Sequence, residues 1–270
     1  MKIDELDLPD STIDFLKSQG FEKLYPPQVD SVKSGLLDGK SILVSAPTAS
    51  GKTLIAMLAM FSYLSKNNGK VVYLSPLRAL AAEKFTEFKK LEKIALGKKI
   101  KVGVSTGDFD GIEKNLEKSD ILILTNEKMD SVIRHGVEWI DEIGLVISDE
   151  VHLIGDENRG PTLEMILTQL KLLDSKPQIV GLSATITNSD EIANWLDCKL
   201  VKNDWRPVPL SEGVCDGGEV TMNDGNIFDV ERSLRGTPID LGVQSVKQGG
   251  QSLVFAETRT RSKSLATKAA

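Results

Sequence analysis

The chain has 270 residues, 40% of them hydrophobic and 27% charged, with a net charge of −6. That balance describes a globular protein of one large domain or up to two, and argues against a uniformly basic nucleic-acid-binding surface. No apolar run reaches membrane-spanning length, and Met1-Lys2-Ile3-Asp4-Glu5-Leu6 has no signal-peptide apolar core. Cys198 and Cys215 lack partners at metal spacing, so two reduced thiols and a cytoplasmic setting are expected.

In chain order, residues 26–37 carry helical spacing, followed by an apolar run at 41–45 that reads as a buried strand. The strand leads directly into Ala46, Pro47, Thr48, Ala49, Ser50, Gly51, Lys52 and Thr53, and helical residues 54–64 come next. A strand, a loop of small residues and Gly-Lys-Thr opening a helix form a phosphate grip. Gly51 lets backbone N–H groups approach phosphate oxygens, Lys52 reaches the β- and γ-phosphates, and Thr53 offers a hydroxyl to Mg²⁺. The strict pattern has Gly at the first position, where this chain has Ala46.

Further apolar runs at 71–75, 102–105, 121–124, 145–148 and 179–182 alternate with helical stretches at 77–91, 127–134, 162–173 and 188–196. Near-continuous Val, Ile and Leu without clean alternation predicts strands covered on both faces, hence a parallel sheet in an α/β fold. Asn126 and Pro161-Thr162 are read as helix-start signals. Lys89, Lys90, Lys93, Lys98, Lys99 and Lys101 read as a solvated helix face and loop.

The character changes after Leu200. Asp204-Trp205-Arg206-Pro207-Val208-Pro209 is stiff and extended. The turns at Asp216-Gly217-Gly218 and Asn223-Asp224-Gly225-Asn226 predict short antiparallel strands or an irregular connection. Residues 252–256 predict a new buried strand, followed by a helix over 261–269. The expected organisation is therefore a nucleotide-binding domain over 1–200, then a linker and the incomplete start of a second domain over 201–270.

The run at 145–148 ends in Ser148-Asp149-Glu150-Val151-His152, placing carboxylates at the sheet edge where open α/β folds bind ligands. Paired with the phosphate loop, Asp149 is the expected metal residue and Glu150 the base that orients the attacking water. His152 stands close enough to follow the γ-phosphate region. Ser183-Ala184-Thr185 closes the next strand.

These segments together resemble a superfamily-2 helicase, more narrowly the Ski-type branch and its archaeal Holliday-junction-associated repair members. The resemblance implies RecA-like folding of the first domain, with the second RecA-like domain only begun. Leu24-Tyr25-Pro26-Pro27-Gln28 is similar to the adenine-reading segment, with Gln28 reading the base. Ser75-Pro76-Leu77-Arg78-Ala79-Leu80-Ala81, Ser105-Thr106-Gly107-Asp108 and the segment from Leu124 to Ser131 resemble strand-contacting motifs. The resemblance thereby assigns Arg78, Thr106, Thr125 and Lys128 to the phosphates of a tracked strand. It gives His152, Ser183, Ala184 and Thr185 the coupling of nucleotide state to those contacts. Arg159-Gly160-Pro161-Thr162-Leu163-Glu164 extends the acidic motif, Trp205-Arg206-Pro207-Val208-Pro209-Leu210 resembles the start of the second motor domain, and Leu253-Val254-Phe255-Ala256-Glu257-Thr258-Arg259 its first motif.

The implied activity is ATP- and Mg²⁺-dependent 3′→5′ unwinding of single-stranded or forked DNA in repair and stalled-fork processing. A monomer without membrane attachment, able to meet replication and repair proteins, is expected. The motifs that supply arginine fingers in the family are not matched. Three alternatives stand beside this reading: a Ski-type RNA helicase, a nucleotide-switched binding module without unwinding, and a small-molecule ATPase or transporter component.

Overall fold

The computed structural model describes residues 1–94, 96, 99–107, 114–231 and 236–269, with only the main chain at 114 and 115; Asp108 and Lys98 lie outside the described residues. Within residues Met1–Pro207, the first of two units, the strands are β1 (Ile42–Ser45), β2 (Lys70–Ser75), β3 (Val102–Ser105), β4 (Ile121–Thr125), β5 (Ile143–Ser148), β6 (Gln178–Ser183) and β7 (Lys199–Lys202). All pair in parallel, in the spatial order β3-β4-β2-β5-β6-β1-β7. The helices are α1 (Asp10–Ser18), α2 (Pro26–Lys33), α3 (Lys52–Lys66), α4 (Arg78–Phe88), α5 (Lys114–Glu117), α6 (Asn126–Arg134), α7 (Gly160–Lys171) and α8 (Ser189–Trp195). The α/β fold with a mainly parallel sheet expected from the sequence is the one observed.

Burial explains why the strands read as continuous apolar runs. In β1, Ile42 and Val44 join a cluster with α1, α3 and α4, whereas Leu43 joins another cluster with α6, α7 and α8. Alternate side chains of β1, β2 and β4 thus enter different cores, so the middle positions of these strands are apolar on both faces.

The carboxyl ends of six strands share a feature that places the site. Ser45, Ser75, Ser105, Thr125, Ser148 and Ser183 are their last residues, and all are buried. In register, Ser45 stands opposite Ser183, and Ser75 opposite Thr125. The apolar core therefore gives way to hydroxyls along one edge, beneath the loops that follow.

Several elements differ from expectation. The helix predicted over 26–37 ends at Lys33, because Gly35 turns left-handed at φ +98° and Leu36–Asp38 form a separate single turn. Thr125, not Asn126, caps α6: its hydroxyl accepts from the Lys128 N–H at 3.3 Å. β7 has no predicted counterpart. It lies at the sheet edge, and Val201 is its one buried residue, too short an apolar signal to register.

The second unit, Val208–Ala270, carries three antiparallel strands, β8 (Gly213–Asp216), β9 (Glu219–Met222) and β10 (Ile227–Asp229), in the order β10-β9-β8. Gly217 and Gly218, at φ +55° and +93°, make the tight β8–β9 turn. Helix α9 (Thr237–Lys247) was not anticipated, since Gly242 in its middle weakens the helical signal. The buried strand expected over 252–256 is corrected by the structure. That segment forms no strand, with Leu253 80% and Phe255 86% exposed. An apolar run becomes a strand only beside neighbours that satisfy its N–H and C=O groups, and no described residue pairs with it. Helix α10 (Arg259–Ala269) follows. Among the described residues no helix is long and apolar enough to cross a membrane.

Candidate nucleotide and strand site

The phosphate loop runs from β1 to the first turn of α3. Ala46 N–H donates to the Ser183 carbonyl at 3.2 Å, which keeps the loop start against β6. Ala49 and Gly51 adopt left-handed conformations, φ +65° and +86°. An alanine held there costs on the order of 1 kcal/mol or more, strain of the kind that collects at ligand-gripping loops. Thr48 and Ala49 are exposed, whereas Ala46, Pro47 and Ser50 are buried. Lys52 Nζ donates back to the Ala46 and Pro47 carbonyls at 2.8 and 3.1 Å, so its ammonium stands inside the concavity of the loop. Burial pushes this ammonium below its ordinary pKa, the Glu150 and Asp149 carboxylates raise it, and the Arg206 guanidinium lowers it again. Lysine, acids and Arg206 thus act on one volume.

Gln28 has a second role that its spacing did not show. Its Oε1 accepts from Tyr25 N–H at 2.7 Å and its Nε2 donates to the Gly51 carbonyl at 3.2 Å, in a side chain only 2% exposed. A Cβ on Gly51 would lie 2.1 Å from that Nε2. The amide therefore buttresses the loop from α2. It also lines a cavity of about 220 Å³ with Phe21, Lys23 and Tyr25. Tyr25 meets Trp205 with ring centroids 4.5 Å apart, and Asn203 Nδ2 donates to Asp30 Oδ2 at 2.8 Å, fixing residues 203–206 to α2.

Asp149 and Glu150 follow β5, and between β5 and β1 lies β6, which ends in Ser183. Tyr73 Oη donates to Asp149 Oδ2 at 2.5 Å, and Glu150 N–H donates to Asp149 Oδ1 at 3.0 Å. Burial, then the Asp149 carboxylate, hold the Tyr73 phenol well above its ordinary pKa, so it is a donor here. Glu150 is left-handed at φ +52°, a bend that turns its half-exposed carboxylate away from the strand line. His152 Nδ1 lies 3.2 Å from Glu150 Oε2 and 3.4 Å from the Ala184 N–H. One nitrogen serves both contacts, accepting from Ala184 when unprotonated and donating to Glu150 when protonated. The structure therefore brings His152, Glu150 and Ala184 together. Ser183 Oγ donates to the Ala184 carbonyl at 2.8 Å, and Thr185 is exposed.

On the other side of β5, Arg78, Thr106 and Thr125 line one cavity of about 300 Å³ together with Glu127 and Arg159. They come from the ends of β2, β3 and β4, which the sheet sets side by side. Lys128 does not line it: this residue is 4% exposed and meets Thr125 through its backbone. Arg159 escaped sequence reasoning as a site residue. It precedes α7, and Asp156 Oδ1 accepts its N–H at 2.9 Å; that bond and the one from Asn158 hold the Asp156 carboxyl below its ordinary pKa.

The donor set suits a magnesium-bound polyphosphate. A Thr53 hydroxyl and an Asp149 carboxylate are hard oxygen donors, and Mg²⁺ usually takes one or two protein oxygens, with phosphates and water completing its shell. Among the described residues, the buried Ser50 and Ser148 hydroxyls at this edge have no partner, polar capacity directed to a ligand-binding edge.

The DEAD/DEAH box helicase family model matches residues 25–192, which hold the loop, the acids and the cavity at β2–β4. The chain is 46% identical over 259 residues to "ATP-dependent DNA helicase Hel308" of Thermococcus kodakarensis, covering 96% of this chain and 22% of that protein. It is 43% identical to the protein of that name from Methanocella arvoryzae and 45% to that from Pyrococcus abyssi, each across 100% of this chain and 36% of the relative. The chain thus spans about a third or less of the length of these relatives. Two crystal structures of the DUF1998 helicase MrfA, one bound to DNA, share the fold. Their TM-scores are 0.73 and 0.76 at 22% and 23% identity, over 97% of this chain and 40% and 38% of theirs. With the phosphate loop, acid pair and strand-end cavity on one sheet edge, and the family model spanning them all, this chain belongs to the DEAD/DEAH box helicases.

Proposed function

We propose that the chain is the ATP-binding motor part of a 3′→5′ DNA helicase that works on single-stranded or forked DNA in repair and stalled-fork processing. The observation that carries this reading is the order of loops across one sheet edge. The phosphate loop follows β1, Ser183-Ala184-Thr185 closes β6, the acids follow β5, and the Arg78–Thr106–Thr125 cavity lies at the ends of β2, β3 and β4. Nucleotide chemistry and strand grip thereby share a rigid frame. Support for DNA comes from the relatives named DNA helicases, and 3′→5′ polarity is what the Ski-type resemblance implies.

Lys52 and the N–H groups at the start of α3 bind and orient the polyphosphate of ATP. Thr53 and Asp149 would hold Mg²⁺, which neutralises charge on the transferred phosphoryl group. Glu150 accepts the proton of the attacking water. His152, between Glu150 and Ala184, passes the state of the γ-phosphate region to β6. Arg78 and Arg159 attract backbone phosphates, and the Thr106 and Thr125 hydroxyls stand beside them, contacts without sequence preference. Action as a cytoplasmic monomer alongside replication and repair proteins belongs to the same reading.

The test is steady-state ATP hydrolysis and strand displacement, with single-stranded DNA and RNA compared, on this chain and on a full-length relative. DNA-stimulated hydrolysis and 3′→5′ displacement by the longer protein support the reading. Stimulation by RNA alone transfers it to an RNA helicase, and nucleotide binding without displacement by the longer protein transfers it to a switched binding module.

A further inference from the structure

Helix α4 touches the strand cavity at its first residue and reaches both proposed metal donors further along. Arg78 lines the cavity. Almost two turns on, Lys84 Nζ donates to Thr53 Oγ1 at 2.8 Å and to Glu87 Oε2 at 2.9 Å. At the last residue, Phe88 meets the Tyr73 ring edge-on, centroids 5.2 Å apart, and it is Tyr73 that donates to Asp149. The Tyr73 side chain is fully buried and that of Lys84 is 12% exposed, so neither is a casual surface contact.

We propose that Tyr73 and Lys84 are positioning residues for the Asp149 carboxylate and the Thr53 hydroxyl, and that α4 couples strand binding at Arg78 to metal affinity at the nucleotide site. This rests on the reading of Thr53 and Asp149 as metal donors. The sheet fixes where Tyr73 can reach: it stands in register with Ile147, two residues before Asp149. Each Asp149 oxygen accepts one bond, from Tyr73 or from the Glu150 amide, which sets the plane of the carboxylate while leaving lone pairs for a cation. Glu87 offsets the charge of Lys84, so this pair orients Thr53 with little net charge against a divalent ion. A helix moves as one body over three turns. A shift of its first turn against a bound phosphate therefore alters the Thr53 contact and the packing behind Tyr73 together. By linkage, metal must then change strand affinity by the factor with which strand changes metal affinity.

The experiment titrates Mg²⁺ against the 270-residue chain and a fluorescent ADP, with and without saturating oligo-dT at low salt. The oligonucleotide is expected to shift the wild-type Mg²⁺ half-saturation about fivefold. Tyr73→Phe keeps the ring and its Phe88 contact. It is expected to raise the Mg²⁺ requirement about tenfold, the lower end for groups that orient a metal ligand, with Mg²⁺-free ADP affinity held. Lys84→Met is expected to abolish most of the oligonucleotide shift, and Lys84→Arg to restore it. A folded Tyr73→Phe chain with wild-type Mg²⁺ dependence overturns the positioning role, and a full shift in Lys84→Met overturns the coupling. Lys84→Met keeps the length and the apolar stem of a side chain that stands outside the core, so its arm decides the coupling even if Tyr73→Phe fails to fold. A wild-type chain whose nucleotide binding ignores both Mg²⁺ and Lys52→Ala sinks the site assignment itself, a distinct outcome.

Discussion

In the proposed nucleotide site Lys52 is the residue on which binding turns, because its ammonium is both half-buried and aimed into the loop. Removing it forfeits a charge-assisted bond to phosphate, so Lys52→Ala should weaken Mg-ATP binding by about 1.5–3 kcal/mol, or roughly ten- to hundred-fold. Calorimetry with wild type and variant side by side checks this; equal affinities refute the loop as the phosphate site. Glu150 and Asp149 are adjacent, yet the structure gives them different surroundings. Asp149 is bonded through both oxygens, whereas Glu150 sits on a left-handed bend beside His152. In a full-length relative's context, Glu150→Gln should keep nucleotide affinity and lose turnover, read by single-turnover hydrolysis. The roles proposed for these residues follow from their types and spacing. That of Gln28 as a prop under Gly51 does not, since a contact spanning 23 positions leaves no local pattern.

Among the elements, the loop-to-α3 junction is tuned to glycine. Gly51→Ala would force an alanine to φ +86° and press its Cβ to 2.1 Å from Gln28 Nε2, a side chain already bonded at both ends of its amide. The expected loss is about 1–3 kcal/mol, visible in a thermal melt of the nucleotide-free chain as a fall of about 2–4 °C for each kcal/mol. The turn between α8 and β7 gives a second prediction. Burial pushes the Cys198 thiol up to about 12, and its Sγ contacts the Ile179 and Leu196 carbonyls. The fold favours the protonated thiol, so this contribution to stability is complete below the ordinary thiol pKa of 9.0 and fades as pH climbs towards 12. In mildly alkaline buffer Cys198 should resist alkylation until the chain unfolds, as peptide mapping after iodoacetamide treatment would show. Rapid labelling of the native chain at Cys198 contradicts the burial.

For the whole molecule, the negative net charge and the small cavity at β2–β4 set the terms of the proposed nucleic-acid binding. Arg78 and Arg159 line the cavity together with Glu127, so the attraction is local. The isolated 270-residue chain should bind single-stranded DNA weakly, with affinity falling steeply as salt rises. Arginine fingers can be worth roughly 10³–10⁵ in rate, and the family motifs that supply them are not matched here. This polypeptide alone should therefore bind nucleotide, turn it over slowly and leave a duplex intact. Steady-state hydrolysis and strand displacement beside a full-length relative measure the difference. Robust unwinding by the isolated chain would overturn that division of labour.

By itself the sequence determined the α/β class and six of the seven parallel strands, and it located at strand ends the loop and the acid pair to which the proposed nucleotide site is assigned. These are encoded locally: apolar runs record burial on both faces, and Gly-Lys-Thr or Asp-Glu after such a run records what the strand's end presents. It failed where local pattern and tertiary setting disagree. Residues 252–256 are as apolar as a core strand yet stand largely exposed without a described strand partner, while β7 joins the sheet with one buried side chain because β1 offers it hydrogen bonds. Only the tertiary structure decided that Arg159 shares a cavity with Arg78, that Tyr73 grips Asp149, and that Lys84 reaches Thr53 from another helix. Such contacts join residues 31 to 81 positions apart in sequence, and they exist because a parallel sheet delivers the ends of distant strands, and the helices behind them, to one edge.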